Sequence, residues 1–470
     1  MSSPPEVPTA STQDPVVGAR AWQTLLITSV SIFLVAMDVT IVSVALPGIR
    51  ESFEEPPTTL AWVFTSYNIT FAALLLLAGK LGDRWGHRRA FLGGLGTFAV
   101  ASLVAAVAPS IEILIAGRVL QAAGSALIYP ASLALLLPEF PPSRRSMAIG
   151  VWGGIAGLGG ALAPTLGAIL VDWAGWRAVF FINLPFVVAA IIAGLIVLDP
   201  ARGVPGQERF DPVAVPMAAI AVGALVLAIV EVSSWGWNDP KTIACVLVAA
   251  VLLPAFVWRS AHHPNPLLDL DLFRVRSFTV GNIAQALFVG SAFGWLVLMP
   301  SFFVDVWGWS PLAAGFGLAP AATIGAILSP FAGRLADVVG HRGLVTTGCL
   351  CGAGGTLWWA VAVGEQPDYL TEILPGMVLG GLGITAGFAT LTGALMSQIP
   401  PRFYSMAGAA RSTIFQLATA IGIAIAVAVL DSGGGDDQTS PYRRVWLIAT
   451  ACAAVAAVVM VVSFPRRRPT

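Results

Sequence analysis

The chain has 470 residues, of which 57% are hydrophobic and only 11% charged, with a mean hydropathy of +0.83. So few charges cannot cover a soluble surface of this size, which places the chain in a bilayer. Its 25 cations and 25 anions cancel, so it carries no basic footprint for nucleic acid, and that class is excluded.

Residues 1–21 are rich in Pro, Ser, Thr and Val and lack the basic, apolar and small-residue regions of a signal peptide. They read as a disordered cytoplasmic tail. Beyond them, a hydrocarbon core of about 30 Å asks for about 20 apolar residues per helix. That length picks out fourteen runs, near 22–47, 59–79, 89–108, 111–137, 147–171, 176–198, 213–232, 242–258, 278–303, 312–332, 343–363, 370–397, 404–430 and 444–464. Cytoplasmic loops retain Lys and Arg. With the N-terminus inside, the inner connections and tails hold 18 of the 25 cations and the outer ones 5, leaving Arg118 and Arg411 within spans. Both termini are therefore expected in the cytoplasm of a multi-pass protein of the cell membrane.

The first span carries Asp38 midway along the run MDVTIVSVALP. A charged group at that depth is costly unless it faces a cavity, finds a partner or takes a proton. It reads either as a carboxyl that binds and releases protons or as a hydrogen-bond anchor to a neighbouring helix.

After the second span comes GKLGDRWGHR (79–88), and after the tenth GRLADVVGHR (333–342), which agree at six positions across a separation of 254 residues. This is an internal duplication. Both copies lie on the cytoplasmic side, so the halves run parallel and are offset by eight spans. The simplest account is a six-helix bundle over 22–198, a linker with two extra helices over 199–277, a second bundle over 278–464 and a basic tail over 465–470. Asp83 and Asp337 can cap exposed backbone N–H groups and pair with Arg84, Arg88 and Arg342. One copy alone would be an ordinary charged loop. Two copies point to a latch that holds the halves together in one conformation and lets go in the other.

Arg118 lies in the fourth span beside Gln121, and its guanidinium needs an acceptor inside the bundle, either Asp38 or backbone carbonyls. The fifth span presents Gly153, Gly157, Gly159 and Gly167 with Pro164 in its interior. Small residues let helices approach closely and proline bends them, which suits a packing face that also gates one end of a pathway. Arg411 in the thirteenth span, about two turns from its inner end, reads as a snorkelling side chain.

The four cysteines fall in apolar runs and the four histidines in polar connections, so no metal site is expected. No cofactor motif, gathered nucleophile or phosphate-binding glycine loop is present, which argues against an enzyme or an ATP-driven pump.

These residues resemble the major facilitator superfamily, and within it the fourteen-helix drug:proton antiporters. MDVTIVSVALP is similar to that group's first-helix motif, with Ser43 where asparagine is usual. GKLGDRWGHRR matches the superfamily's loop signature. RVLQAAGSA is similar to the fourth-helix motif, with Ala122 for a common glycine, and GGALAPTLGA to the helix-five antiporter motif, with Ala163 and Ala168 in place of glycines. GWRAVFFINLP (175–185) also looks typical of the group. The resemblance implies an all-α fold of fourteen transmembrane helices, two parallel six-helix bundles plus two inserted helices. It also implies alternating access, with outward movement of a small amphipathic compound driven by inward proton flow through Asp38 and Arg118, in a monomer surrounded by lipid. Asn68, Gln121, Tyr129, Asn282, Gln285, Trp358 and Gln416 are the expected cavity wall. The rival reading is a proton-coupled importer of a nutrient or metabolite on the same fold.

Overall fold

The computed structural model describes residues 17–55, 57–199, 211, 213–431 and 438–465. Among them every regular element is helical. The first bundle comprises α1 (Ala19–Phe53), α2 (Pro57–Trp85), α3 (His87–Ala106), α4 (Ile111–Leu136), α5 (Arg145–Ala174) and α6 (Ala178–Val197). Then come α7 (Ala214–Trp235) and α8 (Pro240–His262). The second bundle comprises α9 (Arg276–Asp305), α10 (Ala319–Val339), α11 (His341–Ala362), α12 (Tyr369–Met396), α13 (Tyr404–Asp431) and α14 (Ser440–Ser463). Twelve of these are long and apolar enough to cross a membrane. The other two, α5 with 30 residues and α10 with 21, stand where the fifth and tenth runs were expected.

The duplication is visible in the packing. α1 lies against α5, α2 against α4, α3 against α4 and α3 against α6. Eight helices on, α9 lies against α13, α10 against α12, α11 against α12 and α11 against α14. The halves also meet reciprocally, α2 on α13 and α10 on α5. Each repeated loop is a one-residue turn, because α2 ends at Trp85 and α3 starts at His87, while α10 ends at Val339 and α11 starts at His341. The turn residues, Gly86 and Gly340, have φ of +89° and +95°, a region closed to most L side chains. The shared glycine at the eighth place of the motif is thus a backbone requirement.

The hydrogen bonds joining the halves gather at the end of the molecule that carries these loops. Arg145 Nη1 donates to the Tyr404 hydroxyl at 2.8 Å, and Ser405 Oγ to the Gly79 carbonyl at 2.8 Å. Ser146 Oγ lies 3.2 Å from His341 Nε2. Further along α5, a Cβ on Gly153 or Gly157 would meet only open space. The inserted α7 lies along α2 and α13 and packs on α8. Its Val222 and Val226 sit against Ala72 of α2, with Leu417 of α13 beside them.

Candidate functional site

Asp38 lies near the middle of α1 and is fully buried, as are Arg118, Gln121 and Asn183. Arg118 and Gln121 are three residues apart on α4, so both face α1. Arg118 Nη1 donates to Asp38 Oδ2 at 2.5 Å and to Gln121 Oε1 at 2.9 Å. Gln121 Nε2 and Asn183 Nδ2 each donate to Asp38 Oδ1 at 3.1 Å. Around them, Arg118 Nε donates to the Val63 carbonyl at 3.1 Å, and Gln121 Nε2 to Ser102 Oγ at 2.9 Å. The guanidinium also sits 4.3 Å from the centre of the Tyr67 ring, whose negative face favours a cation. The Tyr67 hydroxyl donates to Ser125 Oγ at 2.8 Å.

This is a fully buried ion pair, with hydrogen bonds supplied by α1, α2, α3, α4 and α6. Such a pair is stable only while both charges are present, because removing one strands the other. Arg118 Nη2 and Asn183 Oδ1 retain unmet hydrogen-bonding capacity inside it. Arg118 pairs with Asp38 as well as with a backbone carbonyl, so it does not bond to backbone carbonyls alone. Gln121 faces Asp38, not a substrate cavity, which corrects that expectation. Asn183 was not singled out from the sequence, although an amide at the start of an otherwise apolar span was the available signal.

At the loop end, Asp83 is buried, faces Ser405 and Lys80, and lies 4.0 Å from His87 Nε2. Ser405 belongs to the other half, so Asp83 stands at the seam. Arg84 is exposed. Arg88 donates to the Leu195 carbonyl of α6 at 2.6 Å, and Arg342 to the Val461 carbonyl of α14. In these bonds both arginines tie their loop to the sixth helix of their own bundle, not to the opposite half as a latch requires. The side chain of Asp337 lies outside the described residues.

The helix-five glycines divide into two kinds. A Cβ on Gly159 would stand 2.5 Å from the Phe33 carbonyl oxygen, and one on Gly167 2.9 Å from Ile41 Cγ1. These two make the close contact with α1. Gly153 and Gly157 touch nothing that a Cβ would meet, so they are not packing residues in this conformation. The helix runs on through Pro164, whose side chain lies outside the described residues.

Among the expected wall residues, Gln285 and Tyr129 come together, and Arg411 joins them. Arg411 is 3% exposed. Its Nη1 donates to Gln285 Oε1 at 3.0 Å and its Nη2 to the Tyr129 hydroxyl of the other half at 3.3 Å, while Gln285 Nε2 donates back to the Arg411 carbonyl at 3.1 Å. It points between the bundles and does not snorkel. Its companions Phe71 and Trp152 pack on Tyr129, with ring centres 6.0 and 5.3 Å away. Asn68 and Gln416 are half-buried. Asn282 bonds to its own helix at the Phe278 carbonyl. Trp358 is 43% exposed and bonds to the Glu372 carbonyl, away from this cluster, so it is not a wall residue.

The family model described as Major Facilitator Superfamily matches residues 28–371 and 282–470. The chain is 32% identical over 417 residues to the tetracenomycin C resistance and export protein of Streptomyces glaucescens, covering 89% of this chain and 77% of that one. It is 33% identical over 410 residues to the multidrug resistance protein Stp of Mycobacterium tuberculosis, covering 87% and 75%. In fold it is similar to the proton:xylose symporter XylE, with a TM-score of 0.68 at 14% identity over 96% of this chain and 97% of that one. Sequence, repeated packing and fold agree, and the chain belongs to the Major Facilitator Superfamily.

Proposed function

We propose that this chain exports amphipathic compounds across the cytoplasmic membrane in exchange for protons, by alternating access within a single copy. The observation that carries the reading is the Asp38–Arg118 pair, a titratable acid held beside a permanent cation at the centre of a fully buried polar cluster. Resistance and export, the functions named for the curated relatives, favour outward transport over nutrient import.

With the positive loops in the cytoplasm, the closed loop end faces inward, and the open space beside Gly153 and Gly157 lies on its outer side. Protonating Asp38 removes the anion that Arg118 pairs with. The guanidinium must then find another acceptor, and α1, α4 and α6, which together build the cluster, change their relative stability. The contacts of Ser405 with Gly79 and of Arg145 with Tyr404 are those that part when the loop end opens. Each proton falling through 100 mV supplies about 2.3 kcal/mol, enough to hold a roughly fiftyfold gradient of a neutral compound.

Inverted membrane vesicles test this directly. A panel of cationic, neutral and anionic fluorophores is added while the interior is acidified. The expected result is accumulation of at least one of them that collapses with a protonophore. Uptake of the whole panel unchanged by the gradient would overturn the proposal.

A further inference from the structure

The Asp38 cluster is balanced in charge, but another buried cation, Arg411, is not. Arg411 is 3% exposed and has no carboxylate partner among the described residues. Its bonds go to two neutral groups, the Gln285 amide and the Tyr129 hydroxyl. Its Nε has no acceptor, and neither does the indole Nε1 of Trp152, which is 2% exposed and packs on the same Tyr129 ring. Two unmet donors therefore belong to side chains that both contact Tyr129, at the seam between the halves, and one of them sits on a fully charged group. A buried guanidinium left this way is costly, and donors with no acceptor add to that cost. A bound anion would relieve both.

The surroundings fit the rest of an amphipathic molecule. One turn further along α13, Phe415 forms edge-to-face contacts with Phe293 of α9 and Phe388 of α12. Phe388 ends a widened, π-helical turn over Ile384–Phe388, a departure from regular helix that is common at functional sites. Phe71 and Tyr129 supply aromatic surface from the first bundle. A polar clamp bordered by apolar rings is the layout of a small-molecule site.

We infer that Arg411, with Tyr129 and Trp152, receives the acidic group of the exported compound, so that the preferred substrates are amphipathic anions such as aromatic carboxylates. This rests on the export reading and narrows it. The guanidinium takes the carboxylate as a charge-assisted pair, Gln285 keeps the guanidinium in position from behind, and the apolar body lies on the aromatic rings. Tyr129 and Arg411 come from opposite halves, so the acid bridges the seam.

The test uses the full chain in detergent and in proteoliposomes, with 1-pyrenebutyrate and its methyl ester as probes. Binding is read by energy transfer from tryptophan to pyrene. We expect the acid to bind about tenfold or more tightly than the ester, as charge-assisted bonds made away from water allow. In R411Q that preference disappears while the ester still binds, and in R411K part of it returns. Transport of the acid, which carries negative charge outward as protons enter, should also respond more steeply to membrane voltage than transport of the ester. Equal binding of acid and ester by the wild type would overturn the inference, as would an undiminished preference in R411Q. So would loss of ester binding in both R411Q and R411K, which marks a structural role, or competition by butyrate equal to that of pyrenebutyrate, which marks a site for any small anion. If the wild type prefers the acid but moves neither probe under a pH gradient, the anion site stands and the export reading fails.

Discussion

Ser405 Oγ donates to the Gly79 carbonyl at 2.8 Å, which ties α13 of one half to α2 of the other at the first residue of the repeated loop motif. The second copy makes the reciprocal contact, since a Cβ on Gly333 would stand 2.7 Å from the Ser146 carbonyl oxygen of α5. A Cβ on Gly79 would stand 2.7 Å from Ala409 Cβ. The leading glycine of each copy is there because two helices from different halves touch at that point.

Wedging this contact should bias the conformation. Gly79→Val and Gly333→Val are both expected to force the loop end apart and shift the population toward the inward-open form. Cysteine probes placed in the seam would become more reactive from the cytoplasmic side in both variants. Unchanged labelling in both would remove the glycine contact from the conformational balance.

A second pair of substitutions separates turn geometry from packing. Gly86 and Gly340 have positive φ, so alanine at either carries backbone strain of about 1–2 kcal/mol. Gly153→Ala, where the Cβ enters open space, should leave the melting temperature of the purified protein within error. The two turn variants should both melt earlier.

At the buried pair, Asp38→Asn leaves the Arg118 charge without a counter-ion. Proton-driven export is expected to fall to background, with some loss of stability, while the protein still inserts and binds substrate. Asn183→Ala removes one donor to the same carboxylate oxygen and should lower export several-fold without abolishing it. Vesicle uptake under an imposed pH gradient checks both, and wild-type rates in Asp38→Asn would exclude this acid from coupling.

Asp211 offers a pH-dependent contact outside the spans. Its carboxylate pairs with Arg259 of α8, and its Oδ1 accepts the Val213 and Ala214 backbone N–H groups at the start of α7. The Arg259 hydrogen bond first, then the backbone donors, hold its pKa below the ordinary carboxylate value. A depressed pKa means the stabilisation is fully present above the unfolded value of about 4 and fades as pH drops through the lower folded value. The melting temperature of Asp211→Asn should therefore sit a few degrees below wild type at neutral and mildly acidic pH, and the difference should close only in strong acid. A difference that vanished by pH 6 would contradict this assignment.

Much of this architecture was legible in the residues. Apolar run length located the helices because the bilayer fixes how long a span must be, and the repeated loop gave the offset between halves because one-residue turns tolerate only glycine. Asp38 and Arg118 stood out for the same reason, since a charge in hydrocarbon is too costly to be incidental. What the sequence hid were contacts that depend on helix rotation. Gln121 and Tyr129 lie on one helix, yet one turns into the first bundle and the other toward the seam. Arg411 read as a surface-seeking cation because its depth alone does not reveal which way it faces. The unlike roles of Gly157 and Gly159 likewise follow from which neighbour each meets, and that neighbour is distant in the chain.

The position of α7 has a consequence for the symmetry of the two-half architecture. The repeat relates two seams between the halves, one where α2 meets α13, the other where α5 meets α10. Val222 and Val226 of α7 cover the first against Ala72. Among the described residues neither α7 nor α8 lies along the second. One seam between the halves is thus covered by an inserted helix and the other is not, so the inserted pair breaks the symmetry of the molecule even though the two halves themselves are built alike.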